Sequence, residues 1–520
     1  MLSYPPRELW PEKTYTLPEL SYPDTLNACY ELLDRNLAEG RGPSPAIHFG
    51  NSFITYSQLL QEVMHIAGAL SRRGIQAGDR VVLRLLNRPH FISTFLAVLR
   101  IGAVAVPTPP LIRSREISRI LESSNPSLLV AETDLWEEVD KLDATSVPSV
   151  NVESLREGAP YPECAATAKD DLAILLYTSG STGLPKGCMH SHIDLLAIAD
   201  SYARYVLEPT PADRFGGHPT MAFAYGLGGL LVFPLRFGAS TVLLDRFTPE
   251  AMMETIRDYK VTLTFCSPLS LRMMTQQRTN LRCSLSSLRL AVSAGETLPA
   301  SVHRSWEQSA GVEVLDGLGS TEMLHIFVSA RRGCSRPGAT GEVVPGYEAM
   351  VVDEKTMKPV PDGTQGLLVV KGPTGCRYLQ AIYAQQSYVR GGWNIPGDVY
   401  IRDSEGFFHY QCRNDDIIVC GGINIAGPEL EGVLAEHPAV SEVAVVASPD
   451  ELRGMVPKAF VVVRPSCTPS EELKKELQNF VQSELAPYKY PRKLEFVREL
   501  PKTSTGKIRR AELRRAEFGA

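Results

Sequence analysis

Leu59, Leu60, Val63, Met64, Ala67 and Leu70 recur at steps of three and four, which predicts one apolar face of an amphipathic helix. Gly74 and Gly78 punctuate the chain after it. The run Arg80-Val81-Val82-Leu83-Arg84-Leu85 then predicts a buried strand, residues 91–100 a second helix, and Ala103-Val104-Ala105-Val106 a second strand ahead of Pro107. Strand, helix and strand in alternation imply parallel sheet with helices on its faces. The same rhythm returns between Leu172 and about Leu315.

From about Gly341 the pattern shortens. Glu342-Val343-Val344, Ala349-Met350-Val351-Val352 and Leu367-Leu368-Val369-Val370 are brief apolar runs between Pro, Gly and Asp turns. They predict antiparallel structure, a small β-barrel. After Asp416 a compact α+β stretch follows: a helix over 429–436, strands over 443–447 and 459–463, and a last helix striped by Leu473, Leu477, Phe480, Val481 and Leu485. Thr468-Pro469-Ser470-Glu471 predicts the start of that last helix, with Thr468 as its cap. The fold class expected is α/β: residues 1–415 form a large domain of two α/β subdomains plus the small barrel, and residues 416–520 a small mobile α+β domain.

Composition narrows the function without naming it. The 520 residues are 44% hydrophobic and 22% charged, ordinary values for a soluble globular chain. A net charge of −6 gives no basic surface for nucleic acid. The longest apolar stretch, from Leu227 to Phe237, is broken by Pro234 and Arg236, so no membrane span is expected. Residues 1–10 hold Arg7 and Glu8 and no apolar signal core, and the ten cysteines are scattered. A cytoplasmic protein without a disulfide framework is expected.

Four segments carry chemistry. The apolar strand Leu172-Ala-Ile-Leu-Leu-Tyr177 runs into Thr178, Ser179, Gly180, Ser181, Thr182, Gly183 and then Leu184-Pro-Lys186-Gly187. Glycines let backbone N–H groups converge on an anion, while the hydroxyls and Lys186 add donors and charge. This is a phosphate loop by composition, although Pro185 and Gly187 depart from the Walker pattern. Asp316-Gly317-Leu318-Gly319-Ser320-Thr321-Glu322 follows a predicted strand, and its carboxylate suits Mg²⁺. By itself the segment reads equally well as a polar turn. Asp398, after Gly397, could accept from both hydroxyls of a ribose, and Arg413 could donate to ribose or phosphate; alone, both read as surface charges. Pro501-Lys502-Thr503-Ser504-Thr505-Gly506-Lys507 presents a lysine on a mobile loop, or a frayed tail. The His190-Ser191-His192 run offers two metal-type ligands with no evident third.

Together, in order and over nearly the whole chain, these four segments resemble the motifs of the acyl-adenylate-forming enzymes. Met221-Ala-Phe-Ala-Tyr225-Gly-Leu-Gly and Ser320-Thr-Glu-Met-Leu-His325-Ile-Phe are most similar to benzoate–CoA and 2-aminobenzoate–CoA ligases. The resemblance implies an acid–thiol ligase, with ATP, Mg²⁺ and coenzyme A as cofactors. Thr178 to Lys186 would hold the β- and γ-phosphates, Thr321 the α-phosphate, Glu322 the Mg²⁺, and Asp398 with Arg413 the ribose. The adenine would lie against Ala294, Gly295, Glu296, Asp316 and Gly317. Lys507 would stabilise charge at phosphorus, Asp415 would be the hinge, and Gly421 and Gly422 would approach the pantetheine arm. One departure stands beside the hinge, where Cys412 replaces the usual glycine.

Phe223, Ala224, Tyr225, Ala294, His325 and Ile326 would line the acyl pocket, with the polar tips of Tyr225 and His325 selecting ring substituents. Benzoate and 2-aminobenzoate are the expected acids, 2-aminobenzoate preferred. The expected assembly is a homodimer with small-molecule partners and neither nucleic acid nor membrane. Transfer of the acyl group to a carrier protein, a non-aromatic acid, and a non-catalytic ligand-binding protein are the alternatives. Intact Lys186, Glu322, Asp398 and Lys507 argue against the last.

Overall fold

The computed structural model describes residues 4–143, 147–179, 185–281, 284–296, 298–413, 417–501, 508 and 510–518. The chain forms two compact units. The larger comprises Met1–Pro110, Leu121–Tyr177 and Gly187–Cys412; the smaller comprises Leu111–Ile120, Thr178–Lys186 and Arg413–Ala520.

The larger unit contains two sheets with a parallel core. In the seven-stranded sheet, Leu172–Ser179, Val104–Pro107, Arg80–Arg84, Leu128–Ala131 and Ser149–Asn151 run parallel, and Pro185–Ser191 and Arg377–Tyr378 extend its edge. In the nine-stranded sheet the parallel run is Val314–Gly319, Leu290–Ala294, Leu263–Cys266, Arg214–Gly217, Ser240–Val242 and Pro45–Phe49. The antiparallel strand Ile326–Ser329 lies beside Val314–Gly319.

The first predicted helix runs over Tyr56–Arg72. Thr55 accepts from the Gln58 N–H, and the Gln58 side chain accepts from the Thr55 N–H, so two otherwise orphaned donors are satisfied reciprocally. Leu59, Val63, Ala67 and Leu70 are buried on its inner face. In the helix Pro89–Arg100 every residue from Phe91 onward is buried, as expected for a helix covered on all sides. The region expected to form a small barrel is a six-stranded sheet built on the long strand Gln365–Lys371, with Glu348–Val352 on one side and Asp398–Arg402 among its neighbours.

The smaller unit carries a five-stranded sheet whose longest pair is Val440–Asp450 against Gly454–Val463. Its helix Glu471–Glu484 begins at Ser470, whose hydroxyl accepts from the Leu473 N–H at 3.1 Å; Thr468, the expected cap, lies outside it. Serine caps as well as threonine, and Glu471 and Glu472 then stand in the first turn, where the helix dipole favours negative charge. No helix among the described residues is long and apolar enough to cross a membrane.

Candidate active site

Two of the chemistry-bearing segments of the larger unit stand at the C-terminal ends of neighbouring parallel strands of the nine-stranded sheet. Open α/β sheets bind ligands at this edge because the strands end there and loops take over. Leu290–Ala294 delivers Ala294, Gly295 and Glu296, while its neighbour Val314–Gly319 delivers Asp316 and Gly317. Ser293 pairs with Asp316 and Ala294 with Gly317, so the segments expected against adenine are brought side by side. A Cβ on Gly317 would stand 2.7 Å from Ile326 Cδ1, and one on Gly319 would stand 2.7 Å from the His325 carbonyl oxygen. Only glycine permits the returning strand to lie so close.

Several polar atoms here lack protein partners. Ser293 Oγ, Asp316 Oδ1 and Glu296 Oε1 are buried with no hydrogen bond among the described residues. Burial pushes the Asp316 carboxyl well above the usual carboxylate range and raises Glu296 to about 7. A carboxyl kept neutral can donate as well as accept, which suits a heteroaromatic base.

The next turn is held differently. The Ser320 hydroxyl accepts from the Met323 N–H at 3.2 Å. His190 Nε2 donates to the Thr321 carbonyl at 2.8 Å, Thr374 Oγ1 donates to the Met323 carbonyl at 2.8 Å, and the Tyr378 hydroxyl donates to Glu322 Oε1 at 2.7 Å. Behind His190, Asp194 pairs with Lys13 and accepts from the Ser191 N–H and hydroxyl. Burial alone would raise the Asp194 carboxyl; Lys13 and His190 hold it well below its ordinary value. The His190-Ser191-His192 run is therefore structural: His192 Nδ1 accepts from the Ala28 N–H.

The third part is an aromatic cluster. Phe223 caps the short helix Ala224–Leu227, which places Tyr225 against the sheet. His325 is 2% exposed and packs with ring centroids 5.3 Å from Tyr202, 5.9 Å from Tyr225 and 4.6 Å from Phe233. Gly228 faces the imidazole so closely that a Cβ there would stand 2.3 Å from His325 Cδ2. Burial lowers the His325 pKa to about 3, so the ring is neutral, and neither ring nitrogen has a hydrogen-bond partner among the described residues. Tyr225 departs from expectation. Its hydroxyl lies 3.1 Å from the Cys266 carbonyl and 3.0 Å from the Val292 carbonyl, so its one proton is already committed to the sheet. Of the two polar tips expected to select substituents, the His325 imidazole is the one left open.

Asp398 is buried at the start of Asp398–Arg402, following Gly397 in the left-handed region at φ +83°. The hydroxyl of buried Tyr400 is raised by desolvation, then by the charges of Asp398 and, more weakly, Asp316. Thr178 lies on Leu172–Ser179 and half-buried Lys186 on the neighbouring strand Pro185–Ser191. Gly180, Ser181, Thr182, Gly183, Asp415 and Lys507, with the side chains of Ser179 and Arg413, lie outside the described residues. In the smaller unit, Gly421 (φ +56°) and Gly422 (φ +79°) join Ile417–Cys420 to Ile423–Ala426. A two-residue hairpin with both φ values positive demands glycine-like residues, so the turn itself explains this pair.

Tyr202, Gly228, Ser293, Thr374 and Tyr378 were not singled out in the sequence, because each acquires its role from a partner 25 or more residues away or from a fit made in space. His190 carried a signal, but of the wrong kind.

Residues 34–378 match the model of the AMP-binding enzyme family, and residues 429–507 match the AMP-binding enzyme C-terminal domain. The chain belongs to the AMP-binding enzyme family. Among curated proteins it is 36% identical to the benzoate–CoA ligase of Thauera aromatica, covering 96% of this chain and 98% of that one. Among solved structures it is similar to the anthranilate CoA ligase AuaEII in complex with anthranoyl-AMP, with a TM-score of 0.74 and 32% identity over 96% of this chain and 99% of that chain. A benzoate CoA ligase from Burkholderia xenovorans LB400 gives a TM-score of 0.72 and 34% identity, covering 94% of this chain and 100% of that one.

Proposed function

We propose that the protein is an ATP-dependent aryl-CoA ligase acting on a benzoate-type acid, with 2-aminobenzoate preferred. The acid's carboxylate attacks the α-phosphorus of ATP, pyrophosphate leaves, and the acyl-AMP then passes its acyl group to the thiol of coenzyme A with release of AMP. The observation that carries the aryl reading is the neutral His325 imidazole, unpartnered inside a box of aromatic rings. Aromatic walls suit a flat ring, and a polar group left buried without a partner costs about 1–3 kcal/mol, which an ortho-amino substituent would relieve. The names of the relatives, benzoate and anthranilate CoA ligases, support the same class.

In this reading Ser293, Glu296 and Asp316 meet the adenine, Asp398 and Arg413 the ribose, and Thr178 to Lys186 the phosphates. Glu322 suits a hard cation: Tyr378 engages Oε1, and the second carboxylate oxygen remains to be offered. Mg²⁺ held at Glu322 with ATP would supply neutralisation of the charge developing at phosphorus. His190, Thr374 and Tyr378 keep Thr321 and Glu322 in register with the triphosphate. Lys507 serves adenylation, and the Gly421-Gly422 segment serves thioester formation after residues 416–520 turn about Asp415. The enzyme works in the cytoplasm, as a homodimer, on small molecules.

A carboxylic-acid panel in ATP–pyrophosphate exchange, followed by thioester formation with free coenzyme A or a phosphopantetheinyl carrier protein, tests the reading. Exchange with 2-aminobenzoate and benzoate, and thioester with free coenzyme A, are expected. Exchange with hexanoate or octanoate and with no benzoate overturns the aryl assignment; thioester on the carrier alone overturns the acceptor.

A further inference from the structure

Away from the active site, two thiols, a carboxylate and a guanidinium meet inside the larger unit. Cys29 Sγ, Cys164 Sγ and an Asp34 carboxylate oxygen all lie within 4.8 Å of one another. Arg100, 1% exposed, inserts its Nη1 among them, at 3.3 Å from Cys164 Sγ, 3.9 Å from Cys29 Sγ and 2.9 Å from Asp34 Oδ2. The Cys164 thiol points at Asp34 Oδ2 from 3.8 Å. Cys29 is fully buried, whereas Cys164 is half-buried on a stretch without helix or strand.

Two local features hold this geometry. The π-helical segment Tyr30–Asp34 widens the turn, so that Cys29 and Asp34, five residues apart, share one face. The strips around Cys29 and Cys164 are also tied together by hydrogen bonds from backbone and side chains. The Leu26 N–H donates to the Thr167 carbonyl at 2.8 Å, the Thr167 hydroxyl to the Leu26 carbonyl at 2.7 Å, and the Asn27 amide to the Ala165 carbonyl at 3.1 Å. The Ala165 N–H donates to the carbonyl of Arg100 itself at 2.7 Å. The sulfurs are neighbours by construction, and the irregular strand-free segment carrying Cys164 can yield the remaining distance to a bond of about 2.05 Å.

We propose that Cys29 and Cys164 are an oxidant-reactive dithiol, in which a small hydroperoxide oxidises Cys164 and Cys29 resolves it to a disulfide. Asp34 takes the proton of the Cys164 thiol, and the Arg100 guanidinium stabilises the thiolate. The thiolate attacks the outer peroxide oxygen: an S–O bond forms, the O–O bond breaks, and the alkoxide leaves as the alcohol with the proton taken by Asp34. Cys29 then attacks the sulfenic sulfur: the S–S bond forms, the S–O bond breaks, and hydroxide leaves with the Cys29 proton as water. Two thiols and one hydroperoxide give one disulfide, one alcohol and one water. A divalent metal on the same three ligands is disfavoured because the guanidinium already occupies their midst.

The test treats the full-length protein with equimolar hydrogen peroxide, alkylates the remaining thiols and maps unreduced peptides by mass spectrometry. The expected result is a Cys29–Cys164 linked pair, removed by dithiothreitol, while the exposed Cys334 is still alkylated. Cys29→Ser should leave Cys164 as a dimedone-reactive sulfenic acid, and Cys164→Ser should leave Cys29 unoxidised. Three results overturn the proposal: Cys334 oxidised while both partners stay alkylatable, Cys29 oxidised in the Cys164→Ser variant, or one zinc ion per chain in the native mass spectrum of the purified protein.

Discussion

The turn 320–323 and the aromatic cluster at His325 are almost adjacent in the chain, yet their polar atoms are treated in opposite ways. In the turn, Ser320, Thr321, Glu322 and Met323 each engage a partner supplied by this protein. At the His325 ring nitrogens, and along the neighbouring strand ends at Ser293 Oγ, Glu296 Oε1 and Asp316 Oδ1, buried side-chain atoms have none among the described residues. Folded proteins satisfy the great majority of their buried polar groups, so a run of orphans calls for an explanation, and on the proposed reading the ligand supplies it. On the proposed reading the difference also separates positioning from selectivity: the turn would set the phosphate geometry for every acid, whereas the cluster would distinguish one acid from another.

The largest effect should come from Glu322, whose Oε1 alone is engaged by Tyr378. Glu322→Gln keeps the shape and the Tyr378 hydrogen bond but removes the charge. Steady-state assays should show on the order of 10²-fold lower activity for all acids alike, with a raised Mg²⁺ requirement. An unchanged Mg²⁺ titration would place the metal on the phosphates alone.

Glu296→Gln probes the orphaned side through pH. A carboxyl whose pKa is raised on folding to about 7 binds its proton more tightly folded than unfolded. Its contribution is therefore most favourable below about pH 4.5 and falls as pH rises to about 7. Denaturant titrations of the ligand-free protein should show wild type losing on the order of 1–3 kcal/mol relative to Glu296→Gln over that window. Parallel pH profiles would show that Glu296 ionises normally.

His190→Ala strips the donor from the Thr321 carbonyl. Unfolding free energy should fall by about 1–2 kcal/mol, and the kcat for every acid should fall by the same factor. A loss confined to one acid would mean that the turn also takes part in selection.

The smallest and most selective effect belongs to His325→Leu. It should reduce kcat/KM for 2-aminobenzoate more than for benzoate, by about 1 kcal/mol or roughly fivefold in the ratio. Equal losses would make His325 a packing residue like its aromatic neighbours.

The alternation of helix and strand was legible along the chain because burial imposes its period on each segment locally: Tyr56–Arg72, Arg80–Arg84 and Val104–Pro107 lie where their patterns indicate. The phosphate-type loop, the Thr321-Glu322 carboxylate segment and the Gly397-Asp398 pair stand out as candidates for a similar reason, since each concentrates its chemistry in a few consecutive residues. The helix start was misplaced because Thr468 and Ser470 both satisfy the local rules, and only the backbone of the folded chain decides which hydroxyl meets a free N–H. Tertiary structure alone committed the Tyr225 proton to two strand carbonyls and turned His190 from a candidate ligand into a prop for Thr321. It also left the His325 imidazole unanswered. Hydrogen-bond partners are set by which strands lie side by side, and that order, with Val314–Gly319 between Leu290–Ala294 and Ile326–Ser329, is a property of the packed sheet that no local stretch of residues carries.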